Sequence, residues 1–182
     1  MAKADAYDPE LIDWAQARLR EKTGRHCGGC TACCRPFAIA AIEKPPNTWC
    51  RHCTVGTGCK IYATRPNACR GFACAWLYGA GTETDRPDLA EVLWDTHELV
   101  PGCYIIRCIE VIPGGYQRLT SKDPGVLERI PGALGNFLVD KGHTVILETL
   151  LVGAKQSVIV APRLTERQRE ALITYTTEGV DE

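Results

Sequence analysis

Cys27-Gly28-Gly29-Cys30-Thr31-Ala32-Cys33-Cys34 opens a stretch that holds nine of the chain's eleven cysteines within 48 residues. Trp49-Cys50-Arg51-His52-Cys53 follows, then Gly58-Cys59-Lys60-Ile61-Tyr62, Arg65-Pro66, Cys69-Arg70, Phe72 and Cys74. Residues 25–78 are rich in Gly, Pro, Thr and Asn and show little helical or strand periodicity. A loop that long is uncommon inside a compact domain unless something organises it. A bound metal supplies folding energy of that kind, because its ligand site does not exist in the unfolded chain. The expected ligands are Cys27, Cys30, Cys33, Cys34, Cys50, Cys53, Cys59, Cys69 and Cys74.

The spacing admits two kinds of centre. Cys27 and Cys30 with Cys50 and Cys53 give C-x2-C-x19-C-x2-C, within the range of a four-cysteine zinc site. Cys27, Cys30 and Cys33 form the C-x2-C-x2-C run of iron–sulfur proteins, whose fourth ligand comes from elsewhere. Nine thiols exceed the needs of one four-ligand centre and suffice for two. His26 and His52 flank ligands and read as bystanders. Arg65 and Arg70 sit between ligands, where guanidinium groups can donate to thiolate sulfurs and bind a cluster from outside its ligand shell. Pro66 fixes the turn between Cys59 and Cys69, and Ile61 and Tyr62 are expected beneath the site.

Charge follows the cysteines. Residues 24–76 carry seven basic residues and one acid, a formal +6 inside a chain whose net charge is -1. Interleaved with thiolates and lacking adjacent stacking aromatics, these cations are expected to offset the charge of the centre. Nucleic acid is the less favoured partner, and a protein partner stays open. The chain has 182 residues, 45% apolar and 24% charged, the balance of a globular protein. Its first 22 residues are charged throughout and have no apolar core, so they do not read as a secretory signal. The apolar stretches are short, so no membrane span is expected. The expected location is the cytoplasm, where thiols stay reduced.

Outward from the cysteines, residues 9–22 read as an amphipathic helix capped by Asp8, with Pro9 in its first turn and Gly24 after its end. Residues 92–95, 103–112 and 116–120 read as strands, the last two joined at Pro113-Gly114-Gly115. A helical stretch opens at Asp123-Pro124, breaks at Pro131-Gly132 and resumes to Gly142. Residues 144–152 and 157–161 read as a further hairpin, and Thr165 with Gln168 caps a last helix ending near Gly179. The expected fold is α+β: one domain over residues 1–182, with a cysteine-rich knot (25–78) packed on a small, mostly antiparallel sheet with flanking helices (89–182). Cys103 and Cys108 lie five apart in a strand and read as core residues on opposite faces. His97 and His143 are isolated, and Gly79-Ala80-Gly81 is no nucleotide loop.

The order Cys27–Cys34, Cys59-Lys60-Ile61-Tyr62, Arg65-Pro66, Cys69-Arg70, Phe72, Cys74 resembles the YkgJ-type cysteine-cluster family, a zinc- or iron-chelating domain named for its CxxCxxCC motif. The resemblance covers about residues 25–78 and implies a metal site at these cysteines. Cys50 and Cys53 are additions to the minimal pattern. Flagellin lysine methylases carry a similar cluster, which makes a redox role, or a role accessory to a modification reaction, conceivable by analogy. The expected cofactor is an iron–sulfur cluster in preference to Zn2+. The alternative is a zinc-stabilised structural or interaction module without catalysis.

Overall fold

A computed structural model describes residues 8–151, 154–159 and 170. A four-stranded sheet divides the described part of the chain into two sides. Its strands are β3 (Val92–Val100), β4 (Cys103–Glu110), β5 (Thr144–Leu151) and β6 (Ala154–Ile159), paired in the order β3-β4-β5-β6. β3 and β4 form an antiparallel hairpin, β4 and β5 run parallel, and β5 and β6 are antiparallel. The architecture is α+β, and the sheet is mostly antiparallel as the sequence suggests.

One expected strand is a helix. Residues 116–120 lie within α4 (Gly115–Lys122), so no hairpin follows β4. Pro113-Gly114-Gly115 is therefore a strand-to-helix turn, in which Gly114 adopts the left-handed conformation and Tyr116 N–H bonds the Glu110 carboxylate. Within α4, Tyr116 and Leu119, three apart, share the face that packs on the sheet, a helical spacing concealed by the β-preferring Tyr and Thr. The excursion through α4, a widened turn at Glu128–Gly132 and α5 (Ala133–Asp140) lets β5 return parallel to β4. Pro131 lies in the widened turn, as its missing N–H requires. β3 extends beyond the expected residue 95 to Val100. The hairpin near the C-terminus is present as β5 and β6, although residues 152, 153, 160 and 161 lie outside the described set, as does the last helix apart from Glu170.

Both sheet faces are covered. On the first, Val92, Trp94, Ile106, Cys108 and Val145 pack with Val126 and Ile130, and Leu119, Leu134 and Leu138 close over them from the helices. On the second, Leu93, Ile109 and Val111 pack with Ala32, Cys74, Trp76 and Leu77 of the cysteine segment, and Leu150 joins from β5. Cys103 and Cys108 are buried on opposite faces, in different clusters, as their odd separation requires.

The first helix, α1 (Pro9–Thr23), forms for the reasons visible in the sequence: Asp8 accepts the Glu10 N–H at 2.9 Å, and Gly24 closes the helix at φ 68°. None of its residues is fully buried, and Leu19 alone of its side chains joins the second cluster. No helix among the described residues is long and apolar enough to cross a membrane.

Candidate metal centre

The cysteine segment is held by short turns, not by long elements. Its regular pieces are a two-residue pair of strands, β1 (Cys53–Thr54) and β2 (Gly58–Cys59), and the four-residue α2 (Asn67–Arg70). Two turns bring paired cysteines round: Cys30 N–H donates to the Cys27 carbonyl at 2.8 Å, and Cys53 N–H donates to the Cys50 carbonyl at 2.9 Å. Cys50 N–H bonds the Cys34 carbonyl at 3.0 Å, tying the second pair to the end of the first run. Gly29 is required by contact, because a Cβ there would stand 2.9 Å from the Gly56 carbonyl oxygen.

Eight of the nine expected ligands line one cavity of about 720 Å³: Cys27, Cys30, Cys33, Cys34, Cys50, Cys59, Cys69 and Cys74. Leu93, His97, Arg107 and Leu150 of the sheet form its floor, so the cavity lies between the cysteine segment and the second sheet face. Cys53 does not line it, and its thiol bonds Thr31 and Cys34 instead. All eleven cysteines are free thiols. Among the described residues, no three His, Cys, Asp or Glu side chains stand close enough to grip one ion. The sulfurs line a common wall without meeting at a point, so ligation requires side-chain rotation.

The thiols are poised by burial. It pushes Cys30 up to about 12 and Cys69 and Cys74 up to about 11, in each case as the largest influence. Cys33 donates to Cys34, which holds Cys33 well above and Cys34 below the ordinary thiol value. The Lys44 ammonium and a bond from Cys53 favour the Cys34 thiolate further. A bound divalent cation overrides burial, since a coordinating thiol is deprotonated outright.

Several of the basic residues also hold the loop together. Arg25 donates to the carbonyls of Trp76, Ala80 and Gly81, each at 2.7 Å, and lies over the Trp76 ring. Arg35 donates to the Val111 carbonyl, and buried Lys44 bonds the carbonyls of Arg35, Phe37 and Pro45. These cations fasten the loop, because a segment with few ladders leaves its carbonyls unpaired. Arg65 and Arg70 both line the cavity, but neither donates a hydrogen bond to a sulfur. Arg65 bonds the Tyr62 carbonyl and stacks on that ring, and its charge lowers Cys27 and Cys69. Arg70 is drawn away to Asp13 of α1 and the Ala63 carbonyl at 2.9 Å, while its buried Nε has no partner. Long-range docking of α1 set that choice, and spacing within the cysteine run could not reveal it.

Several residues in or beside the cavity escape a reading by motif. Lys44 approaches Cys34, Cys50 and Cys69, and the Asp88 carboxylate accepts from the Cys30 thiol. His97 and Arg107 reach the cavity through the alternation of β3 and β4, which only the sheet register exposes. Arg107 forms two bonds to buried Asp95, at 2.8 and 2.6 Å. His26 and His52 do not line the cavity, in keeping with bystanders.

The donor chemistry, eight sulfurs on one wall with an unpartnered guanidinium N–H of Arg70 beside them, suits a thiophilic metal or cluster, although among the described residues no three donors stand close enough to hold one ion. Comparison with protein-family models, curated proteins and solved structures finds no match.

Proposed function

We propose that this is a metal-binding protein whose clustered cysteines hold an iron–sulfur cluster, in preference to zinc, with a redox role or a role accessory to a modification reaction. The observation that carries the reading is the single cavity walled by eight free cysteines. The resemblance to YkgJ-type proteins rests on the same residues and supports chelation at this place. An iron–sulfur cluster would supply one-electron transfer, and the basic side chains around the cavity would temper its negative charge. Clustered cysteines offered as thiolate ligands call for a reducing compartment, which favours the cytoplasm.

A zinc-stabilised interaction module is the second reading, favoured by the scarcity of regular structure between Cys27 and Cys74. The room in the cavity argues for the first, since a structural zinc site is a closed shell of four ligands. Anaerobic purification followed by iron, sulfide and zinc analysis tests both. Brown protein with matched iron and sulfide is expected. Colourless protein with stoichiometric zinc would reject the cluster, and metal-free protein would reject both readings.

A further inference from the structure

We propose that the cavity holds two four-sulfur centres: an inner one of Cys27, Cys30, Cys33 and Cys74 against the sheet, and an outer one of Cys34, Cys50, Cys59 and Cys69 beside Lys44, with Cys53 ligating neither. The proposal rests on the metal-binding reading above and adds the number of centres and the membership of each.

Packing makes the first division. Cys27, Cys30, Cys33 and Cys74 belong to the apolar cluster built on Trp76, Leu77, Leu93 and Ile109, and none of the other five cysteines does. The inner group therefore sits where the cysteine segment meets the sheet. Each member also stands within electrostatic reach of another, Cys33 of Cys27 and Cys30 and Cys74 of Cys27 and Cys30, and the outer group adjoins through Cys34, which reaches Cys27 and Cys33.

Backbone connections assemble the outer group independently. Cys50 is bonded to the Cys34 carbonyl, and the Cys50–Cys53 turn leads into β1, where Cys53 pairs with Cys59 of β2. Cys69, delivered by α2, stands within electrostatic reach of Cys34, Cys50 and Cys59. Lys44 feels Cys50, Cys34 and Cys69 most strongly, and Cys33 of the inner group least of the four. Cys53 and Cys59 stand directly opposite each other on β1 and β2 and share a face of the pair, but of the two only Cys59 lines the cavity, and the Cys53 thiol bonds Thr31 and Cys34.

The adjacent pair Cys33-Cys34 marks the seam. Both lie in the 3-10 turn Ala32–Cys34, where successive side chains diverge by about a third of a turn. Cys33 packs in the apolar cluster and Cys34 does not, while the Cys33 thiol donates to Cys34, so the two groups meet at this pair. The division also separates Cys27 and Cys30 from Cys50 and Cys53, the two pairs whose spacing imitates a single zinc site.

The test is Zn2+ titration of the reduced, metal-free full chain, read by native mass spectrometry and by mapping which cysteines resist iodoacetamide. Two bound Zn2+ per chain are expected, with eight cysteines protected by metal besides the buried Cys103 and Cys108, and with Cys53 alkylated. At one equivalent, protection should fall on one quartet or the other as a set. Cys59→Ser should lower the capacity from two to one, whereas Cys53→Ala should leave it at two. The alkylation map of the unaltered chain decides the matter even if a variant fails to fold. A single bound Zn2+, or a protected set of Cys27, Cys30, Cys50 and Cys53, would overturn the two-centre assignment while leaving metal binding intact. No binding at all would overturn the functional reading with it.

Discussion

The two faces of the sheet are covered by different physics. On the helix side, Val92, Trp94, Ile106, Val126, Ile130 and Val145 form a continuous buried layer, and apolar burial is the main force that holds the helices in place. On the cysteine side the apolar contact is an island around Trp76 and Leu93, and beyond it the chain is fastened by carbonyl clamps from Arg25, Arg35 and Lys44. The helix side carries its folding energy in its sequence of large apolar residues. The cysteine side spends its residues on thiols and on cations that clamp carbonyls, so less of its order comes from apolar burial.

The largest effect that would sharpen this contrast is Ile106→Ala. Ile106 is fully buried in the helix-side layer, and removing three carbons there should cost about 4 kcal/mol of global stability. Urea unfolding followed by tryptophan fluorescence would measure it. A change below 1 kcal/mol would break the claim that this layer holds the fold.

A link between the sides comes next. Asp85, 2% exposed, receives two bonds from Arg129 at 2.9 and 2.6 Å and one from the Thr82 backbone. These hold its carboxyl at about 2, chiefly through Arg129. Because the folded value lies below the ordinary one near 4, the stabilisation is full above about pH 4 and is lost as pH falls towards 2. Asp85→Asn should cost about 3 kcal/mol at pH 7 and flatten the acid limb between pH 4 and 2. An unchanged acid limb would show that the bridge does not couple the two sides.

The smallest effect should be local. Lys44→Met leaves the carbonyls of Arg35, Phe37 and Pro45 without their donor, at a cost of about 2 kcal/mol. Hydrogen exchange should quicken across residues 35–50 while protection in β3 and β4 stays unchanged. Loss of protection throughout the sheet would mean that the two sides fold as one cooperative unit.

Legibility followed the range of the interactions. Helix α1 could be read to within a residue because Asp8, Pro9 and Gly24 act on their immediate neighbours. Strand β4 was visible as an apolar run, and the break at Pro131 followed from a missing N–H. α4 was misread because its Tyr and Thr favour strands locally, whereas its helical form answers the distant need to cross to β5. At the site, eight of nine expected cysteines do line the cavity, since clustered thiols in a loop have few other uses. Cys53, Lys44, Asp88 and His97 were beyond reach, because register and long-range docking place them.

Sequence alone determined the clustering of nine thiols, the turn at Gly28-Gly29 and a cap at each end of α1. Tertiary structure alone decided which sulfurs share a side, that Arg70 turns to Asp13, and that a sheet face closes the cavity. The reason is distance along the chain. Turns and caps act between residues a few positions apart, whereas grouping Cys74 with Cys27 depends on both packing against Leu93 and Trp76.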